Sequence, residues 1–358
     1  MFVRYTPEVE TLQKDEAEIS RDVVQQMRRT QAEAADRHRH AHRDAHAKSH
    51  AILKGRMRVH ADLPPELAQG IFAEPAEYEV VARLSSAPGD IHSDDIPAPY
   101  GFAIKVIGVK GARLLPDLGG HNQDFLMVNL PVLAFGTVSK YKEMLGILEK
   151  NVQAPEVFQR FVAAAARGVS DVVEAGGGTP GATLQGLARD KANMLGETFF
   201  TQAALRYGDY IAKISLAPTG EVTELTGKEI GDGYSAMKDA ISAWFAKHGA
   251  TYELRTQLCT DLEKMPVEDA AVLWDEKQSS FRAVATLTFD AQDPYAPPRR
   301  VYGDDHLAFN PWDGVEAHRP LGSIMRVRKP AYESSSEQRH HLNDVARHEP
   351  ASLSEIPD

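Results

Sequence analysis

Five histidines fall between His38 and His50 in the run RHRHAHRDAHAKSH, and His42, His46 and His50 stand four residues apart. On a helix that spacing sets three imidazoles on one face, as a metal ion needs. In an extended chain His46 and His50 still share a face. Three readings stay open on these residues alone: a solvated His-rich segment, a transition-metal site, or a single histidine doing acid–base chemistry. Far along the chain, Arg328 precedes Tyr332 by one helical turn. A guanidinium beside a phenol favours the phenolate, and a phenolate oxygen can hold ferric iron. Two other features carry less. The run Gly176, Gly177, Gly178 lacks the Lys-Ser/Thr that a phosphate loop needs and reads as a flexible loop. Cys259, inside LRTQLCTDL, reads as a small buried hydrophobe.

These residues need elements to position them. Residues 6–36 place Val9, Leu12, Ile19, Val23, Val24 and Met27 among charges, the pattern of a long amphipathic helix. Strand patterns follow in ILKGRMRVHAD and over 78–86, 100–109, 124–132, 208–218, 251–260 and 281–290, separated by turn-rich stretches. Helical patterns occupy 140–151 and 155–169, and the chain turns helical again from about Ser323. Strands joined by short turns, with helices gathered in blocks, predict an α+β chain with an antiparallel barrel and added helices. The absent βα alternation argues against Rossmann and TIM folds.

Composition narrows the function. The chain has 358 residues, a formal net charge of −11 and 25% charged residues, with mean hydropathy −0.37. An acidic chain of ordinary globular composition argues against nucleic-acid binding through bulk charge and against disorder. No apolar run approaches a membrane span, and the charged start MFVRYTPEVE lacks a secretory core, so a cytoplasmic location is expected. A single cysteine removes internal disulfides and multi-cysteine metal sites, leaving His, Tyr, Asp and Glu as donors.

Four ordered segments resemble the haem catalases, in particular the short catalase-related branch. RDAHAKSHAILKGRMRV is similar to the family's distal-histidine segment through Arg43, His46, Ala47, Lys48, Ala51, Gly55 and Val59. VARLSSAPGD follows with Arg83 and Ser85, and YGFAIKV resembles a neighbouring family strand. GGHNQDFLMVN stands where the family carries its distal asparagine; Asn122 is the favoured counterpart and His121 the ungapped one. Arg328, Tyr332 and Arg339 match the proximal segment, with an unusual Pro330 between the first two.

The resemblance implies haem b held by Tyr332 as the iron ligand, Arg328 as its partner, and Arg43, Arg83 and Arg339 on the propionates, with Phe135 near the haem-stacking aromatic. It implies His46, Ser85 and Asn122 as the distal catalytic group. The division is residues 1–36 as an N-terminal helix, 37–345 as the haem-binding domain and 346–358 as a loose tail. Trimmed outer segments favour organic or fatty-acid hydroperoxides with a second reductant over rapid hydrogen peroxide dismutation. A small true catalase, an isomerase of the allene oxide synthase kind and a non-catalytic haem carrier or sensor are the alternatives. Self-association as a dimer or tetramer is expected, with the first helix as a contact.

Overall fold

Alternating apolar side chains build nine antiparallel strands in the computed structural model, which describes residues 1–87, 89–96, 98–133, 135–143 and 191–358. They are β1 (Lys48–Val59), β2 (Glu77–Ser86), β3 (Tyr100–Val106), β4 (Gln123–Val128), β5 (Phe199–Phe200), β6 (Leu205–Tyr207), β7 (Tyr210–Thr219), β8 (Ala250–Leu258) and β9 (Arg282–Phe289). The order is β5-β4-β3-β2-β1-β9-β8-β7, and β5 also pairs with β7, so eight strands close into a barrel while β6 pairs with β7. This is the α+β antiparallel barrel that the strand patterns predict.

The period of two decides what faces where. Leu53, Met57, Val80, Ala82, Leu84, Phe102 and Ile104 turn into the barrel core, where Phe102 meets Phe199 and Tyr252 edge-on at centroid distances of 5.3 and 5.4 Å. Ile52, Val81, Ala103 and Leu126 lie on the outer face, under Tyr302, Leu307 and Phe309. The joints around the barrel are unequal: β4 meets β5 at Val128–Phe200 and β5 meets β7 over two pairs, whereas β1 meets β9 over four pairs from Arg56–Thr288 to Val59–Ala285.

Helices α1 (Glu16–His38), α2 (Ala236–Phe245), α3 (Pro297–Val301) and α4 (Ser323–Asn343) surround the barrel. Val23 of α1 packs on Val327 of α4 together with Val138. At the start of α4, Arg326 binds Glu10, Glu16 and Glu268 at 2.7, 2.6 and 2.9 Å, tying three separate segments together. The first helix begins at Glu16 rather than near residue 6, after a short turn at Pro7–Val9. A helical turn covers 138–143; the rest of the expected 140–151 helix, the 155–169 helix and the Gly176–Gly178 loop lie outside the described residues.

The segment expected to be a loose tail is packed instead. Ile356 is buried against the outer-face cluster, Glu349 reaches Lys105 at 2.8 Å, and the Leu353 amide donates to Glu79 at 2.8 Å. Apolar burial and a buried charge hold it, a pattern too short to show as periodicity. Among the described residues, no helix is long and apolar enough to cross a membrane.

Candidate active site

α1 ends at His38 with Arg39 in a left-handed conformation, so His42, His46 and His50 do not share the helical face their spacing permits. His46 itself has φ +55°, an uncommon conformation for a non-glycine residue and one that concentrates at functional sites. Two contacts fix its backbone: its amide donates to the Ala87 carbonyl at 2.9 Å, and its carbonyl accepts from Arg83 Nη1 at 2.9 Å. Its Nδ1 lies 3.3 Å from Ser85 Oγ on β2. Burial, with the positive charges of Arg83 and Arg328, pushes the imidazole down to about 3, so it is neutral at physiological pH.

The bulge between Ser49 and Ala51 turns His50 the other way. Its Nε2 bonds Ser86 Oγ at 2.6 Å, and because Ser85 and Ser86 are consecutive strand residues, the two histidines lie on opposite faces of the sheet.

Gly101 completes the His46 site. It pairs with Ser85 across β2 and β3, and a Cβ there would fall 2.5 Å from His46 Nδ1. A glycine inside a strand signals such a close approach, and that signal was available in YGFAIKV.

The residues expected to form the proximal group lie on α4. Arg328, Tyr332, Ser335 and Arg339 sit at helical spacings of four, three and four, which lays them along one stripe. Arg328 Nη2 donates to Tyr332 Oη at 2.7 Å. Pro330 lies within the helix and leaves that pair intact. Ser335 Oγ donates to Asp44, which joins α4 to the segment carrying His46. Tyr141 stands beside Tyr332, Arg328 and Asp44, and burial with the Asp44 charge pushes its phenol up. Phe135 reaches the group through Tyr141, at a ring distance of 6.4 Å.

Arg43, Arg83 and Arg339 converge, but on the chain itself. Arg43 Nη2 donates to the Gly303 and Leu307 carbonyls at 2.8 and 2.7 Å. Arg339 Nη1 donates to the Asp305 carbonyl at 2.6 Å, and Arg83 lies 3.3 Å from the Asp304 carboxylate. Burial lowers all three guanidiniums; like-charge repulsion adds to it for Arg43 and Arg339, and Arg339 falls to about 10. Such a cluster is short of negative charge and fits a dianionic ligand.

Asn122 and His121 are not brought to this group. Gly101 pairs with Val128 and Val106 with Gln123, so Asn122 lies about 20 Å along the strand from the Gly101–Val128 level beside His46, at ~3.3 Å per residue. Its Nδ2 donates to Glu349 and the Pro350 carbonyl, both at 3.3 Å, and His121 is exposed. The local motif carries no information on which end of β4 the loop serves, so the expectation for Asn122 is corrected. Asn122 borders a buried charge cluster in which Lys105 meets Asp124, Asp313 and Glu349 at 2.8, 3.1 and 2.8 Å.

Of the remaining histidines in the run, His38 and His40 form carboxylate pairs and the His42 ring lies 5.4 Å from each of theirs. His38 bonds Asp90 at 2.5 Å and His40 bonds Asp305 at 2.7 Å. Among the described residues, no group of three or more His, Cys, Asp or Glu side chains is placed to hold a metal ion, which removes the support for a metal site in this run.

No family model and no curated protein sequence matches the chain. Solved structures do. A fungal catalase superposes with TM-score 0.61 at 17% identity, over 88% of this chain and 64% of that one. Catalase A from Saccharomyces cerevisiae gives 0.61 and 17%, over 88% and 66%, and a bacterial catalase gives 0.60 and 11%, over 96% and 64%. The chain thus spans about two thirds of the length of these proteins. With the closed barrel and its flanking helices, these superpositions show that the chain has a catalase-like fold.

Proposed function

We propose that the chain is a haem b-dependent hydroperoxidase that reduces organic hydroperoxides, fatty-acid hydroperoxides among them, and hydrogen peroxide. The observation that carries this is the Arg328–Tyr332 pair at 2.7 Å on α4, close enough to His46 that the Arg328 charge acts on its imidazole. A catalase-like fold, the donor set and the anion-hungry arginine cluster support the same reading.

Tyr332 Oη is the group that would hold ferric iron, with Arg328 favouring its anionic form. Arg43, Arg83 and Arg339 would face the propionates, and Phe135 would border the macrocycle. When bound, haem supplies a redox-active iron for heterolysis of the peroxide O–O bond. His46, neutral because its folded value is about 3, takes the hydroperoxide proton on Nε2 and returns it to the departing oxygen. Ser85 orients the ring through Nδ1, and Gly101 leaves the ring its space. A second reductant completes the cycle, and the protein is expected to self-associate.

The test is a haemin titration of the purified protein, followed by rates with hydrogen peroxide, cumyl hydroperoxide and a fatty-acid hydroperoxide. A Soret band with one iron per chain and turnover of the organic hydroperoxides supports the reading. No Soret band after haemin refutes it, and hydrogen peroxide turnover dominating by orders of magnitude replaces it with a true catalase.

A further inference from the structure

The turn that receives the three arginines is unusual. Tyr302–His306 continues α3 as a single π-helical turn, a rare form found frequently at functional sites. It brings the Asp304 carboxylate to 3.3 Å from Arg83 and 3.5 Å from Arg43, and Arg339 donates to the Asp304 and Asp305 carbonyls. The cations lie behind and the anion in front: the Arg83 side chain is 3% exposed and that of Asp304 is 29% exposed. Asp305, the other carboxylate of the turn, is bonded to His40 at 2.7 Å. Of the three guanidiniums, Arg83 and Arg43 therefore share the Asp304 carboxylate within pairing distance, while Arg339 reaches the turn through its backbone carbonyls.

We propose that Asp304 is an internal stand-in for a cofactor carboxylate: it partly neutralises the arginine cluster in the cofactor-free chain and gives way when a propionate takes its place. The proposal rests on the haem reading above. A propionate arriving at Arg83 or Arg43 with Asp304 still in contact would meet a like charge at close range, which is strongly unfavourable where both are partly desolvated. Asp304 thus stabilises the empty protein and weakens cofactor binding, and the same carboxylate keeps the site from gathering other anions.

The experiment compares wild type and Asp304→Asn by Soret titration with haemin and with haemin dimethyl ester, whose propionates carry no charge, and by thermal unfolding of the cofactor-free proteins. The substitution is expected to tighten haemin binding about tenfold or more, leave the dimethyl ester within about twofold, and lower the cofactor-free Tm. Equal effects on both ligands, or none on haemin, overturn the proposal while leaving the haem reading intact. A Soret band in neither protein removes the haem reading and the proposal with it. Should Asp304→Asn fail to fold, amide exchange in wild type decides: haemin must reduce protection across residues 302–307, and unchanged protection there refutes the displacement.

Discussion

Gly101→Ala isolates the position of one imidazole. The added methyl would lie 2.5 Å from His46 Nδ1, 2.6 Å from its Cε1 and 3.1 Å from Ser85 Oγ. Unstrained contacts of this kind begin near ~3.5 Å, so the ring must retreat by about 1 Å. The His46 backbone cannot follow, since its amide and carbonyl are bonded to Ala87 and Arg83. Overpacking costs about 1–3 kcal/mol, and exchanging a strand glycine for alanine returns about 0.5–1 kcal/mol. Stability should therefore fall by no more than about 2.5 kcal/mol. Catalysis should suffer more, because a misplacement of about 1 Å costs on the order of 100-fold. The assay is kcat/KM with cumyl hydroperoxide on haem-loaded protein, alongside haem content and urea denaturation. Haem content should match wild type while kcat/KM falls about 100-fold. A folded, haem-loaded variant with turnover within about twofold of wild type would refute His46 as the proton carrier.

Three further outcomes follow from the same geometry. Tyr332→Phe should abolish stable haem and iron content while costing about 1 kcal/mol of stability for the lost Arg328 hydrogen bond; full haem content by pyridine haemochrome would exclude Tyr332 as the ligand. Lys105→Met removes the cation shared by Asp124, Asp313 and Glu349, leaving Asp313 its Arg113 and Glu349 its Arg347 but Asp124 buried with no cation, and should cost about 3–5 kcal/mol in urea unfolding, whereas a loss below about 1 kcal/mol would show that the carboxylates rearrange to water. His318 accepts the Ile71 amide on Nε2 at 3.1 Å, and burial pushes it down to about 3. Its folded value lies below the unfolded one of ~6.5, so its contribution is fully present above pH ~6.5 and is lost as pH falls towards 3. His318→Gln should flatten the stability-versus-pH curve across that window by up to one proton, and an unchanged slope would contradict the assignment.

Much of the architecture was legible because the barrel strands keep a period of two: β2, β7, β8 and β9 fall within a residue or two of the patterns that predict them. The Arg328–Tyr332–Arg339 stripe was equally legible, since helical spacing is a local property. β5, with two residues, has no period to read. Asn122 was misplaced for a different reason. Its motif is local, but the strand end it serves is set by the β3–β4 register. Asp304 gave no signal either, because its meaning arises only when Arg43, Arg83 and Arg339, from three distant stretches, meet the same turn.

The unequal joints of the barrel give it a preferred place to open. Local opening follows the path that breaks the fewest backbone bonds and least packing, so β4 parts from β5 at Val128–Phe200 before β1 parts from β9. The row Ser85–Gly101–Val128–Phe200 runs across four strands from beside His46 to that joint. The Phe200 amide should accordingly exchange with solvent faster than that of His60, which donates to the Val284 carbonyl of β9 at 2.9 Å.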